Sequence, residues 1–288
     1  MSIIKIGSRK SQLAIKQTET VIKKLKEHFP NDTFEIVGIS TKGDRQLDKS
    51  LQSFGGKGVF IKEIETALLS GEIDMAVHSA KDMPTEICDG LTISAALLRD
   101  DRSDVLVHFG DTELSDIKII GTGSARRQSQ AEKLFPNAVF KPIRGNIGTR
   151  LEKVKSGEYD AVIMARAAIN RLAVSDVKIE NLGDNFICAA GQGILAIETA
   201  VGKADKYAQA INDKVAMTEL KCERAFLQYT GGGCHAPCGA SAEFNGKEIK
   251  MCTFFKENDK EIYLEMFGND PILLGKKMAE ITLDKIKE

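Results

Sequence analysis

The chain has no tryptophan, and aromatic residues make up only 6% of its 288 residues, so it offers no indole platform for a sugar. It also lacks a strong charge of either sign. With 40 basic and 41 acidic residues the formal net charge is −1, so no overall basic field draws nucleic acid or an anionic membrane, and anion binding must come from local clusters of arginine and lysine. No apolar run approaches the roughly 20 residues that a transmembrane helix needs. The first residues, Met1-Ser2-Ile3-Ile4-Lys5-Ile6-Gly7, read as a strand and not as a signal peptide. The protein is therefore expected in the cytoplasm with its six cysteines reduced. None of them has the paired C-x-x-C spacing of structural zinc. Cys234, His235 and Cys238 make an incomplete tetrahedral set, and no metal is expected.

Against these absences one segment stands out. Gly231-Gly232-Gly233-Cys234-His235-Ala236-Pro237-Cys238-Gly239 runs three glycines into a cysteine and leaves through a proline and another glycine. Glycine lets a backbone take unusual conformations or approach a bound group closely, and proline stiffens the exit. Such a loop displays a sulfur, whereas a free cysteine is ordinarily buried like a small hydrophobe. Cys88, Cys188, Cys222 and Cys252 lie on or beside apolar segments and are expected to serve packing.

The first half of the chain alternates strand and helix. Strands are expected at Ile3–Gly7, Phe34–Ile39 and Ile73–His78, with one helix capped by Ser11 and another stopped near Gly71. The rhythm recurs with strands at Ile117–Ile120, Ala138–Ile143 and Tyr159–Ala165, separated by helices over about 124–135 and 147–156. Ser70-Gly71-Glu72-Ile73-Asp74 is echoed by Ser156-Gly157-Glu158-Tyr159-Asp160. Two β-α-β-α-β runs point to two similar α/β units with mainly parallel sheets. The last part differs: a helix over Thr218–Tyr229, then strands near 239–244, 248–255 and 260–267, then a helix with Asp270 at its N-cap and Pro271 at N1. This is a small α+β unit. Leu274, Met278 and Ile281 are expected to form the buried stripe of its last helix.

Ligands of open parallel sheets bind at the carboxyl ends of the strands. There the sequence places Arg9, Ser79-Ala80-Lys81-Asp82, Gly121-Thr122-Gly123-Ser124-Ala125-Arg126-Arg127 and Arg144-Gly145-Asn146-Ile147-Gly148-Thr149-Arg150. The last two segments offer backbone N–H groups at helix N-termini with arginines beside them, which suits phosphate or carboxylate. His78, ending an apolar strand, reads as a satisfied buried histidine.

These segments, together with Gly7-Ser8-Arg9-Lys10-Ser11, Thr41-Lys42-Gly43-Asp44, Gly55-Gly56-Lys57-Gly58-Val59-Phe60, Val77-His78-Ser79-Ala80-Lys81-Asp82-Met83-Pro84, Gly191-Gln192-Gly193 and Gly232-Gly233-Cys234, occur in one order along the chain. In that order and over nearly the whole length the sequence resembles the porphobilinogen deaminase family, also called hydroxymethylbilane synthases. The resemblance implies two doubly wound lobes like those of periplasmic binding proteins and a small α+β C-terminal domain. By it, residues 1–98 with 189–214 form the first lobe, 99–188 the second and 215–288 the third domain. It implies a transferase of heme biosynthesis that condenses four porphobilinogen molecules head to tail with loss of ammonia. The product is hydroxymethylbilane, and the primer is a dipyrromethane cofactor held by thioether to Cys234.

By motif position the resemblance implies Asp82 as the catalytic carboxylate. Loss of ammonia leaves an electrophilic azafulvene, and pyrrole attack puts positive charge on the rings, which a carboxylate stabilises where it develops. The cofactor-binding residues implied with Cys234 are Lys57, Ser79, Lys81, Asp82, Thr122, Ser124, Arg126, Arg127, Arg144 and Gly145. The substrate-binding residues implied are Arg9, Ser11, Arg144, Arg150 and Gln192. Guanidinium forks suit acetate and propionate arms. The only partner implied is porphobilinogen itself, with no nucleic acid and no membrane, and the protein is expected as a monomer. The loop from Gly43 to Gly58 is expected to act as a lid. Two features depart from the family: Arg166-Ala167-Ala168-Ile169 follows Ala165 where the family has small apolar residues and a glycine, and Cys238 is a second thiol near Cys234. A non-catalytic two-lobed anion-binding protein also explains the arginine turns, but it leaves the cysteine loop and the third domain without a role. A thiol enzyme pairing Cys234 with His235 needs adjacent residues to face one another.

Overall fold

The computed structural model describes residues 1–40, 61–110, 113–231 and 237–288. Strand β1 (Ile3–Arg9) runs into helix α1 (Gln12–His28), whose N-cap is Ser11, its side chain accepting from the Ala14 N–H. β2 (Thr33–Ile39), α2 (Lys62–Ser70), β3 (Met75–Ser79) and β4 (Leu91–Ala96) follow. The chain then crosses through β5 (Asp104–His108) into β6 (Ile119–Gly121), α3 (Ala125–Ala131), β7 (Val139–Lys141), α4 (Ile147–Lys155), β8 (Ala161–Ala165), α5 (Arg166–Arg171) and β9 (Lys178–Asn181). It returns through β10 (Leu195–Ala200) and α6 (Asp205–Ile211).

The first sheet has the order β2-β1-β3-β10-β4 and the second β7-β6-β8-β5-β9. In each, one strand lies antiparallel to both of its neighbours, β10 in the first and β5 in the second. The other four strands of each sheet share one direction, as the parallel β1–β2, β1–β3, β6–β7 and β6–β8 pairs require. The fold is thus two mainly parallel α/β lobes with matching strand order. The antiparallel strands are the two crossovers between the lobes, which local apolar patterning does not reveal.

The sequence echo has a structural meaning. The Asp74 carboxylate accepts from the Lys5 N–H on β1. The Asp160 carboxylate accepts from Lys118 and Ile119 at the start of β6. Each aspartate joins the third strand of its lobe to the first.

The third unit begins with α7 (Lys214–Thr230), followed by an antiparallel sheet β11 (Cys238–Phe244), β12 (Ile249–Glu257) and β13 (Lys260–Gly268), and by α8 (Pro271–Lys287). Asp270 caps α8 by accepting from Ile272 and Leu273. Its buried stripe is Leu274, Met278 and Thr282; Ile281 is only half-buried, one position off the line. Two further corrections concern cysteines. Cys88 is exposed, and Cys252 is half-buried with its Sγ toward Glu265, so neither is a core packing residue, whereas Cys188 and Cys222 are buried.

Glu223 on α7 ties these parts together. Fully buried, it accepts from Arg99 at the start of the crossover, from the Gly191 N–H of the return and from the Ala242 N–H on β11. Arg99 also meets Glu219. Its charge is held up by these carboxylates against the cost of burial.

Candidate active site

The site forms at the carboxyl end of β3. Ser79 ends this strand, and its hydroxyl accepts from the Gln17 side chain of α1 at 2.8 Å. A single 3₁₀ turn, Ala80–Asp82, then presents Lys81 and Asp82. Ala80 is buried, and its N–H donates to the Ile194 carbonyl of the returning crossover. Gly191 passes so close that an added Cβ would stand 2.9 Å from the Ala80 Cβ and 3.0 Å from the Lys81 nitrogen, at a φ of +73°. Only glycine meets both demands.

From Lys81 a chain of polar contacts leads into the second lobe. The Lys81 ammonium donates to Gln192 Oε1 at 3.2 Å, and Gln192 Nε2 donates to Asp104 Oδ1 at 2.9 Å. Asp104, the first residue of β5, has a side chain that is 0% exposed. It receives Arg126 Nη1 at 2.7 Å and Arg127 through Nη2 at 2.7 Å and Nε at 3.0 Å. Arg127 also donates to the Ile163 carbonyl, and Arg126 to that of Ile187. Despite burial, the two guanidinium groups hold Asp104 well below the usual carboxylate range. Asp104 was not among the residues expected from sequence. Its only signal there was a charge opening the apolar run Val105-Leu106-Val107.

Burial, reinforced by Arg127, pushes the Lys81 ammonium down to about 8, while Asp82 and Asp104 draw it up. Burial and Arg127 likewise lower Arg150, and Asp82 opposes them. Lys81, Asp82, Arg127 and Arg150 therefore share one electrostatic environment, in which cations outnumber carboxylates. Ala165, Ala167 and Ala168 line the cleft beside Asp82, together with Leu13, Gln17 and Arg171. The departure at Arg166-Ala167-Ala168 thus keeps a wall of small side chains. Arg171, also missed in the sequence, donates to the Gly193 carbonyl and pairs with Asp100.

The other expected residues take these places. Arg9 ends β1 and is half-buried. Ser11 and Ser124 are N-caps of α1 and α3. Thr122 is buried and accepts from the Ser124 N–H. Arg144 is exposed, Gly145 takes a φ of +109°, and Arg150 Nε donates to the Gly145 carbonyl at 2.9 Å. Gln192 is buried with its amide committed to Lys81, Asp104 and the Arg102 and Ser103 carbonyls, so it orders the cationic cluster from behind. Lys57, Cys234 with His235, and the loop from Gly43 to Gly58 lie outside the described residues.

The flank of the cysteine loop reaches this cluster. An added Cβ at Gly239 would stand 2.9 Å from the Ile187 and Cys188 carbonyls and 3.1 Å from Arg126 Cδ. Cys238, one residue earlier, pairs with Phe255 in the β11–β12 ladder and packs on the core of the third unit. Its thiol is a half-buried strand side chain. His78 pairs with Glu198 at 3.0 Å, both buried, as expected of a satisfied histidine.

Residues 4–208 match the model of the porphobilinogen deaminase dipyrromethane cofactor binding domain, and residues 217–284 match that of the porphobilinogen deaminase C-terminal domain. The porphobilinogen deaminase of Geobacillus kaustophilus is 43% identical over 290 residues, covering 98% of this chain and 94% of that protein. That of Bacillus subtilis strain 168 is 43% identical over 295 residues, covering 99% and 94%. That of Lachnospira eligens is 43% identical over 289 residues, covering 96% and 98%. No helix among the described residues is long and apolar enough to cross a membrane. With both domain models matched in order and near-complete coverage by these relatives, the chain belongs to the porphobilinogen deaminase family.

Proposed function

We propose that this protein is a cytoplasmic, monomeric hydroxymethylbilane synthase, joining four porphobilinogen molecules head to tail with release of ammonia from each. Its boundaries on this reading are residues 1–98 with 189–214, 99–188 and 215–288. The observation that carries the proposal is Asp82 standing among Lys81, Arg127 and Arg150 at the carboxyl end of β3. Carboxylates outnumbered by cations, with Asp82 among them, suit a reactant that carries several carboxylates yet develops positive charge on its rings.

The donor set fits a dipyrromethane, whose acetate and propionate arms call for guanidinium and ammonium groups. Lys81, Arg126, Arg127 and Arg144 would hold those arms, with Arg126 and Arg127 oriented by Asp104. When bound, the cofactor supplies a nucleophilic pyrrole carbon as primer. Cys234 is the proposed anchor. Gly239 seats the loop flank against Arg126, and Cys238, half-buried, already belongs to β11 and packs against the core of the third unit, whereas Cys234 lies on the glycine-rich segment itself. Arg9, Arg144 and Arg150 would meet incoming substrate carboxylates, and the alanine wall leaves room beside Asp82.

Asp82 acts on the positive charge that arises as ammonia leaves and the next pyrrole attacks. At about 4 Å and an effective dielectric near 20, this attraction is roughly 4 kcal/mol before desolvation. At 1.36 kcal/mol per tenfold, Asp82→Asn is expected to lower turnover by on the order of several hundredfold while leaving fold and cofactor in place. The decisive experiment is the intact mass of the purified protein beside Cys234→Ser, with porphobilinogen consumption measured on both. An excess of two linked pyrrole units, absent in the variant, supports the proposal. A bare mass unchanged by porphobilinogen favours a two-lobed anion-binding protein instead.

A further inference from the structure

A second cavity, of about 270 Å³, shares no lining residue with the cleft at Asp82. It lies between the edge strand β4 of the first sheet and helices α7 and α8 of the third unit. Ile87, Ile93, Met217 and Ile272 give it apolar walls, and its two charged lining residues, Lys221 and Arg224, are both cations. Among the described residues no carboxylate lines it.

Arg224 has the geometry of an anion anchor. Its Nη2 donates to the Pro84 and Thr85 carbonyls, each at 2.8 Å, which fixes the plane of the guanidinium at the cavity wall. No carboxylate among the described residues forms an ion pair with it. Burial disfavours its charge, and Glu198, at longer range, is what opposes that cost. A half-buried guanidinium oriented by neutral carbonyls is left without the counter-charge that buried ions ordinarily take. A carboxylate arriving from solvent supplies it through charge-assisted hydrogen bonds.

The volume sits just under the range of about 300–1,000 Å³ for small-molecule pockets. It suits one or two rings, or a branched chain of similar size, and excludes a linear tetrapyrrole. We propose that this cavity is a binding site for a small apolar monocarboxylate, its carboxylate on Arg224 and its hydrocarbon body against Ile93 and Met217. Inorganic anions satisfy only the first half of that description, because the walls offer them nothing. Since one wall belongs to the first lobe and the other to the third unit, an occupant bridges the two. It also bears on the segment that follows Asp82 through Pro84 and Thr85.

The test uses the purified full chain as isolated, with 2-naphthoate as probe and 2-naphthylmethanol as its neutral counterpart, followed by titration calorimetry. Naphthoate is expected to bind at least tenfold more tightly than the alcohol. Arg224→Gln is expected to weaken it by about tenfold or more, the effect of losing a hydrogen bond to a charged group. Met217→Trp, which fills the cavity while keeping Arg224 in the sequence, is expected to abolish binding and to decide the matter should Arg224→Gln fail to fold. Arg150→Gln, in the other cleft, is expected to leave naphthoate affinity unchanged. Absence of naphthoate binding, equal binding of acid and alcohol, persistence in Met217→Trp, or loss in Arg150→Gln would each overturn the proposal. These readouts concern binding alone, so they stand whatever the fate of the synthase reading.

Discussion

Asp104→Asn probes the least expected part of the site. The carboxylate is fully buried and takes three hydrogen bonds from two guanidinium groups and one from Gln192. Removing one member of a buried ion set commonly costs about 3–5 kcal/mol, because the remaining charges stay desolvated. Asparagine keeps one acceptor oxygen but turns an N–H₂ donor toward arginine donors, so the lower end of that range, about 3 kcal/mol, is expected. At roughly 2–4 °C per kcal/mol for domains of 150–250 residues, the melting temperature should fall by roughly 6–12 °C. The pH dependence carries a signature. Asp104 has a folded pKa below its ordinary value, so its stabilisation is present above about pH 4 and is lost as pH falls below that. The difference between wild type and variant should therefore be full at pH 6–8 and narrow below about pH 4. Circular-dichroism melts across this range test it, and intact mass should show reduced cofactor occupancy as Arg126 and Arg127 lose their orientation. Equal melting temperatures at neutral pH, or a difference that persists unchanged in acid, would refute the assignment of Asp104 as the anion that orders the arginine pair.

Two further outcomes can be checked independently. In the cofactor-free protein the Lys81 ammonium, pushed down to about 8 by burial and Arg127, should show a ¹⁵Nζ titration midpoint near that pH. As a base with a lowered folded pKa, it makes the cofactor-free protein gain stability as pH rises from there toward the ordinary lysine value. Cofactor carboxylates should move the midpoint upward; a lysine that titrates near its ordinary value without cofactor would contradict the buried cationic cluster. Gly239→Ala places a Cβ against two backbone carbonyls and Arg126, and the carbonyls have little room to retreat. A loss of about 1–3 kcal/mol is expected, as for overpacking, together with reduced cofactor attachment read by mass. Unchanged stability and attachment would show that the loop flank does not bear on Arg126.

Much of this molecule was written locally. Ser11 and Asp270 announce their helices because a short polar side chain before an apolar periodic run satisfies the first free N–H groups wherever it occurs. The strands β1, β2, β3 and β8, the small C-terminal sheet and the paired arginine turns follow from patterns a few residues long. The motif order along the chain pointed to the family and to the dipyrromethane cofactor, both of which the comparisons bear out. Contacts between distant segments carried no such local signal. β5 and β10 each sit in a sheet antiparallel to both neighbours, and nothing within five or six residues encodes the direction of a partner strand. Asp104 meets Arg126 across 22 positions and Gln192 across 88, and Glu223 meets Arg99 across 124. A charged residue in the sequence looks the same whether it faces solvent or a buried counter-ion. The sequence by itself determined that glycine turns with paired arginines open two helices of the second lobe; only the tertiary structure decided that Arg126 and Arg127 are held by a buried aspartate, because that choice rests on desolvation and proximity, which exist only once the chain has folded.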